Sequence, residues 1–216
     1  MHDHQHDHKS SSSNRIGWAF FLNVSFTIIE FVGGLLTNST AIMADAVHDL
    51  GDSLSIGLAW LLSKLGNKQP DGLFTYGYQR FSLLGALING FVLIAGSLWV
   101  LSAAVPRLFE PQQPHAVGMF WLAVLGVVVN GYAAYKLSHG KTLNERVLNW
   151  HLMEDVLGWV AVLIVAVTLM FVDWPILDPL LSIAFTLFIL INVVKNLIEA
   201  GSLLMQANPD RALQSN

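Results

Sequence analysis

The sequence predicts an all-α integral membrane protein with six transmembrane helices and with both termini in the cytoplasm. Its composition indicates a membrane protein, because 54% of the 216 residues are hydrophobic and only 12% are charged. In a soluble domain about a quarter of the residues are charged. Six apolar segments set the number of helices, since about 20 apolar residues cross the roughly 30 Å of hydrocarbon in a bilayer. The placement of Lys and Arg sets the orientation.

Short polar or turn-forming stretches divide the six segments. Thr-Asn-Ser at 37–39 separates the first two, and residues 172–176 separate the last two. We do not expect a secretory signal, because residues 1–14 are polar and such a signal needs an apolar core. The predicted spans are residues 16–36, 40–65, 81–104, 117–137, 148–171 and 177–204.

The basic residues indicate which side of the membrane each connection faces. Of the eleven Lys and Arg residues, only Arg107 lies in a connection on one side. The others lie in or near the N-terminal tail, the second-to-third and fourth-to-fifth connections, and the C-terminal end. Cytoplasmic connections carry the excess of Lys and Arg, so both termini are predicted to be cytoplasmic. The chain then divides into a disordered, His-rich tail at 1–14, a six-helix transmembrane domain at 15–206 and a short tail at 207–216.

Charge and cysteine content exclude several kinds of partner. The formal net charge is -4 and the basic residues form no clustered stripe, so no nucleic-acid partner is expected. The chain contains no cysteine, so imidazole and carboxylate groups would have to supply the ligands of any metal ion.

The second predicted span carries four ionisable residues in a segment where the burial of a charge is costly. Asp45, His48, Asp49 and Asp52 occur in A-D-A-V-H-D-L-G-D-S-L, residues 44–54. At 100° per residue they fall within roughly 100° of arc on one helical face. Such residues are rare in membrane helices, which favours a functional role over simple hydrogen bonding to a neighbouring helix.

The fifth predicted span repeats this feature in N-W-H-L-M-E-D-V-L-G-W. His151 and Asp155 lie four residues apart, with Glu154 close to the same face. His-x-x-x-Asp therefore occurs twice, as His48 with Asp52 and as His151 with Asp155. One copy is a weak pattern, whereas two copies in separate membrane helices favour one shared metal site.

The spacing and the donor types favour a zinc-like ion. Residues i and i+4 on a helix have Cβ atoms about 5 to 6 Å apart, so one helix can offer an imidazole and a carboxylate to one ion. Two such helices supply two nitrogen and two oxygen ligands, which suits tetrahedral Zn²⁺. Mg²⁺ and Ca²⁺ prefer shells of about six or more oxygens, and Mn²⁺ prefers oxygen-dominated sites. Cd²⁺ and Co²⁺ stay open on these grounds.

Five other polar residues are candidates for supporting the site or for a proton path. Asp49 and Glu154 could support the ligands, relay protons or face water, since four ligands already complete a tetrahedron. Asp45 could bond the start of its helix or line an exit path. Asn23 and Glu30 lie seven residues apart on one face of the first span, where Glu30 could face the aqueous path or pair with another helix.

The N-terminal tail alternates His with acidic or amide residues. It could collect metal ions at the cytoplasmic mouth, or it could be a solvated disordered segment without that role. The candidate capture residues are His2, His4, His6 and His8.

Four motifs in this chain carry a resemblance to a known family. They are N-S-T-A-I-M-A-D-A-V-H-D-L-G-D-S-L, Y-G-Y-Q-R-F-S-L-L-G-A-L-I-N-G, N-W-H-L-M-E-D-V-L-G-W and D-P-L-L-S-I-A-F-T-L-F-I-L. Together they resemble the cation diffusion facilitators, and the similarity extends over about residues 15–209. The resemblance implies a secondary transporter, not an enzyme, that exports Zn²⁺ and also Cd²⁺ in exchange for protons. It also implies a multi-pass protein of the bacterial inner membrane.

The resemblance implies a ligand set as well. By match to the family's paired motifs, His48, Asp52, His151 and Asp155 form the transport site, and no prosthetic group is expected. A helix rearrangement would open the site first to the cytoplasm and then to the outside. Protons would compete with the metal outside, because imidazole binds metal only when neutral and ordinarily titrates near pH 6.5.

The chain departs from that family in one respect. Typical members continue past the sixth helix into a ferredoxin-like cytoplasmic domain, whereas this sequence ends at Asn216. Because a βαβ unit takes about 30 residues, we expect a short form without that domain, either a naturally short member or a truncated chain. The homodimer that the resemblance implies would then form through membrane helices. The small residues at 85–90, G-A-L-I-N-G, would serve either that interface or packing within the subunit.

Two other functions are compatible with a metal site in a membrane. In a membrane-embedded zinc hydrolase, three ligands would hold the ion, the fourth position would hold an activated water, and Glu154 could act as general base. A metal sensor would bind the ion without transporting it, although six spans are more than sensing requires.

Overall fold

The computed structural model describes residues 6–65, 79–137 and 143–204, and within them the side chains of residues 20–58, 61, 85–136 and 149–202. These residues form six α-helices, with a short 3-10 turn at Pro106–Leu108 between the third and the fourth. The chain is an all-α membrane protein. The helices are α1 (His6–Thr37), α2 (Thr40–Leu65), α3 (Gln79–Ala104), α4 (Ala116–Leu137), α5 (Leu143–Phe171) and α6 (Leu177–Leu204).

The six helices confirm the six predicted spans, and the main differences lie at two N-terminal ends. α1 begins at His6 instead of residue 16, and α5 begins at Leu143 instead of residue 148. An apolar window marks only the part of a helix that crosses the hydrocarbon, whereas an established helix gains one hydrogen bond for each further residue. The backbone of α1 therefore includes residues 6–14, which we predicted to be a disordered tail.

Five helices in the described part of the chain are long and apolar enough to cross a membrane, and α2 is not among them. α2 has 26 residues, or about 39 Å at 1.5 Å per residue, so its length suffices. Its three aspartates reduce its hydropathy. Residues 39–47, at its outer end, are all buried, which is expected when polar groups on a membrane helix face protein rather than lipid.

The chain divides into two compact units. One consists of Met1–Thr27, His48–Gly96 and Phe188–Asn216, and the other of Ile28–Val47 and Ser97–Leu187.

In the second of these units, α4 and α5 approach closely at Gly126. A Cβ atom there would lie 2.1 Å from the ring of Trp159, which is itself buried. Only glycine permits this approach, as is common between membrane helices.

In the first unit, two glycines of the G-A-L-I-N-G segment face other helices of the same chain. A Cβ atom at Gly90 would lie 2.5 Å from Leu197 on α6, and one at Gly85 would lie 3.3 Å from Leu58 on α2. Of the two roles predicted for this segment, packing within the subunit therefore accounts for both glycines. The homodimer stays a prediction.

Three connections lie at the same end of the second unit. The turn between α1 and α2 is hydrogen-bonded both to Arg107, between α3 and α4, through Asn38 and to Asp178, at the start of α6, through Ser39. This agrees with the predicted topology, in which the same three connections face outward.

Candidate metal site

The first predicted pair lies on α2. The Nε2 atom of His48 is 3.9 Å from Oδ2 of Asp52, and 29% of each side chain is exposed. The two groups face each other as the i, i+4 spacing requires. Tetrahedral ligands at about 2.1 Å from an ion would be about 3.4 Å apart, so small side-chain rotations would let one ion join this pair.

The second predicted pair lies on α5 and has the same geometry. The Nε2 atom of His151 is 3.9 Å from Oδ2 of Asp155, with 32% of the His side chain and 11% of the Asp side chain exposed. Each helix therefore brings its imidazole and carboxylate together without burying either completely. Such a pair offers one nitrogen and one oxygen ligand to a metal ion.

A polar network links α1 to α2 next to the first pair. The amide of Asn23 donates to Ser53 Oγ at 3.0 Å and to the backbone carbonyl of Asp49 at 3.5 Å. The hydroxyls of Thr27 and Ser53 are 3.3 Å apart. Asn23 thus bonds α1 to the turn of α2 that carries Asp52, and its supporting role at the metal site stays a prediction.

The four carboxylic acids that we predicted as supporting groups differ in burial. Glu30, Asp45 and Asp49 are buried, whereas Glu154 is exposed. Asp45 faces α5, because its Oδ1 lies 3.7 Å from the position of a Cβ atom on Gly158. This carboxylate therefore lies beside α5 about one turn from Asp155.

The side chains of the predicted metal-capture residues in the tail lie outside the part of the chain that the structure describes. His2 and His4 lie outside the described residues, and the side chains of His6 and His8, at the start of α1, lie outside them as well. The predicted C-terminal tail, residues 207–216, also lies outside.

Sequence reasoning missed the polar residues at the outer ends of α1, α2 and α6. Asp178 and Arg107 bind the turn between α1 and α2, and Asn38 in that turn has a positive φ of 54°. Two local signals were present. Asn tolerates the left-handed conformation that often ends a helix, and Ser39 occupies an N-cap position.

Most of the chain is similar to one known family of membrane domains. Residues 18–205 match the cation efflux transmembrane domain. The chain is 34% identical over 213 residues to the cadmium, cobalt and zinc/H(+)-K(+) antiporter of Bacillus subtilis, covering 95% of this chain and 68% of that protein.

Two further relatives are similar at the same level. The zinc transporter ZitB of Pectobacterium atrosepticum is 31% identical, with 97% of this chain and 66% of that protein covered. The metal cation efflux system protein CzcD of Cupriavidus metallidurans is 31% identical, with 96% and 66% covered. The chain thus spans about two thirds of the length of these relatives. Because residues 18–205, most of this chain, match that domain, the chain belongs to the cation efflux family, the cation diffusion facilitators, and is a multi-pass membrane transporter of metal cations rather than an enzyme.

Proposed function

We propose that this protein exports Zn²⁺, and also Cd²⁺ and Co²⁺, in exchange for protons. The observation that carries the proposal is the matched geometry of the two His-Asp pairs. In both α2 and α5 the imidazole and the carboxylate are 3.9 Å apart and partly exposed.

We propose further that the two pairs bind one ion together. Each pair offers one imidazole nitrogen and one carboxylate oxygen, so the two pairs together would supply two nitrogen and two oxygen ligands. This set favours zinc-like ions over Mg²⁺, Ca²⁺ and Mn²⁺. The names of the relatives, which mention zinc, cadmium and cobalt, agree with that choice of cargo.

Protons are the proposed counter-ion because of the chemistry of the ligands. An imidazole must lose its proton before it binds metal, so metal and protons compete for His48 and His151. Partial exposure of both pairs allows the exchange with water. The antiporter of Bacillus subtilis is named for protons and K⁺, which agrees with cation exchange.

The membrane potential limits how many protons return. Exporting Zn²⁺ against an inside-negative potential costs about 4.6 kcal/mol per 100 mV, since each charge contributes about 2.3 kcal/mol. One incoming proton recovers half of that energy, and two make the exchange electroneutral. Exchange for one proton therefore depends on the pH or zinc gradient.

Zinc uptake into proteoliposomes with an acidic lumen and an internal zinc indicator tests the proposal. We expect uptake that needs the pH gradient and that is abolished in Asp52→Ala and in His151→Ala. Asp173→Asn is the matched control, because Asp173 is exposed in the connection between α5 and α6 and pairs with Gln113. If folded Asp52→Ala and His151→Ala transport zinc as the unmodified protein does, the proposed site is wrong.

A further inference from the structure

The first residue of α2 is bonded to α6 through three separate groups. The backbone N–H of Thr40 donates to Oδ2 of Asp178 at 2.7 Å, and its hydroxyl donates to the same oxygen at 2.8 Å. The backbone carbonyl of Thr40 accepts from the hydroxyl of Ser182 at 2.9 Å. Three bonds in different directions restrict rotation as well as translation of the helix end.

The other oxygen of Asp178 binds the residues on either side of Thr40. Oδ1 accepts from the hydroxyl of Ser39 at 2.5 Å and from the backbone N–H of Ala41 at 3.2 Å. The hydroxyl of Ser39 in turn accepts from the backbone N–H of Ile42 at 3.2 Å, as an N-cap does. The carboxylate therefore lies at the positive end of the α2 dipole, where a negative charge is stabilised.

Asp178 is buried and lies at the start of its own helix. Only 1% of it is exposed, and it lies in the first turn of α6, where the charge also complements the dipole of α6. One buried carboxylate thus joins the N-terminal ends of two membrane helices.

Thr40 and the proposed metal ligands His48 and Asp52 belong to one continuous helix, α2. His48 is eight residues further on, about 12 Å along the axis, and residues 40–48 contain neither Gly nor Pro. Every residue of 39–47 is buried, which leaves this part of α2 little freedom to bend. Asp45, within it, faces Gly158 of α5.

We propose that Asp178 is a positioning residue of the transport site. By binding Thr40 it fixes the start of α2, and His48 and Asp52 lie further along the same helix. The inference rests on the proposed function, because it assumes that these two residues bind the transported ion.

Zinc binding to the purified full chain, measured by calorimetry in detergent, tests this role. In Asp178→Asn the side chain keeps its shape but loses an acceptor oxygen and the charge. We expect zinc affinity about tenfold weaker, the low end of the loss when a group that orients metal ligands is removed. Zinc uptake into proteoliposomes should fall with it, and Asp173→Asn should behave as the unmodified protein.

A purely structural role predicts a different result. Asp178→Asn would then lower the unfolding temperature, while the folded protein, measured well below that temperature, would bind zinc as the unmodified protein does. Unchanged affinity in folded Asp178→Asn overturns the proposal.

A milder variant answers the question if Asp178→Asn does not fold. Thr40→Val removes one bond to Asp178 and keeps the shape of the side chain, so we expect zinc affinity about threefold weaker. Unchanged affinity in Thr40→Val then overturns the proposal. The unmodified protein and His151→Ala, assayed in parallel, distinguish this outcome from a failure of the proposed function, in which even the unmodified protein would neither bind nor transport zinc.

Discussion

The guanidinium of Arg107 donates both to the backbone carbonyl of Asn38, at 2.7 Å, and to its side-chain oxygen, at 2.8 Å. Asn38 has a positive φ of 54° and ends α1. Its N–H bonds to the carbonyl of Leu35, and the next N–H, of Ser39, bonds to the carbonyl of Gly34. This is the Schellman pattern of a helix C-terminus, and the cation complements the negative end of the α1 dipole.

We predict that Arg107→Lys lowers the free energy of unfolding by about 1 to 2 kcal/mol, because one ammonium group cannot reproduce the two parallel bonds. Arg107→Ala should cost more. The measurement is reversible unfolding in mixed micelles. Equal stability of the Lys variant and the unmodified protein would show that the two bonds contribute nothing beyond the charge.

The bond between Asn23 and Ser53 should contribute only modestly to stability. A double-mutant cycle with Asn23→Ala and Ser53→Ala is expected to give a coupling energy of about 0.6 kcal/mol, as is usual for hydrogen bonds between membrane helices. If the network also orients Asp52, Asn23→Ala should weaken zinc binding beyond this stability effect. Unchanged zinc affinity would assign Asn23 to helix packing alone.

Gly126→Ala should destabilise the contact between α4 and α5. The new Cβ atom would lie 2.1 Å from the buried ring of Trp159, so we expect a loss of about 1 to 3 kcal/mol from overpacking. Gly131→Ala is the matched control on the same helix, since no atom lies within 4 Å of the new Cβ atom. It should be neutral or slightly stabilising, because alanine favours the helix. Equal effects of the two substitutions would contradict the close approach.

Zinc affinity should fall as the pH falls. Both imidazoles must be neutral to bind the ion, so protons compete with it, and the logarithm of the Kd should rise by up to about two per pH unit at acidic pH. The same titration of His151→Ala should give a slope of about one, because a single imidazole remains. A pH-independent Kd would rule out histidine ligands.

The sequence by itself determined the number of helices and the internal geometry of the two pairs. Both depend on local properties. About 20 apolar residues define a span wherever they occur, and i, i+4 residues meet on any helix. The start of α2 also agrees with the prediction, because the N-cap that Ser39 supplies there is a local feature of the sequence.

Only the tertiary structure decided what the other polar and small residues do. Asp178 was part of a family motif, yet its partner Thr40 is 138 residues away. In the sequence Arg107 indicates only the orientation of the protein in the membrane, and its partner Asn38 is 69 residues away. His115, in the connection between α3 and α4, donates its backbone N–H to the carbonyl of Thr37 at the end of α1. Hydropathy and helical period describe only the position of a residue on its own helix. These contacts depend instead on which helices pack together and on the position of each helix along the membrane normal.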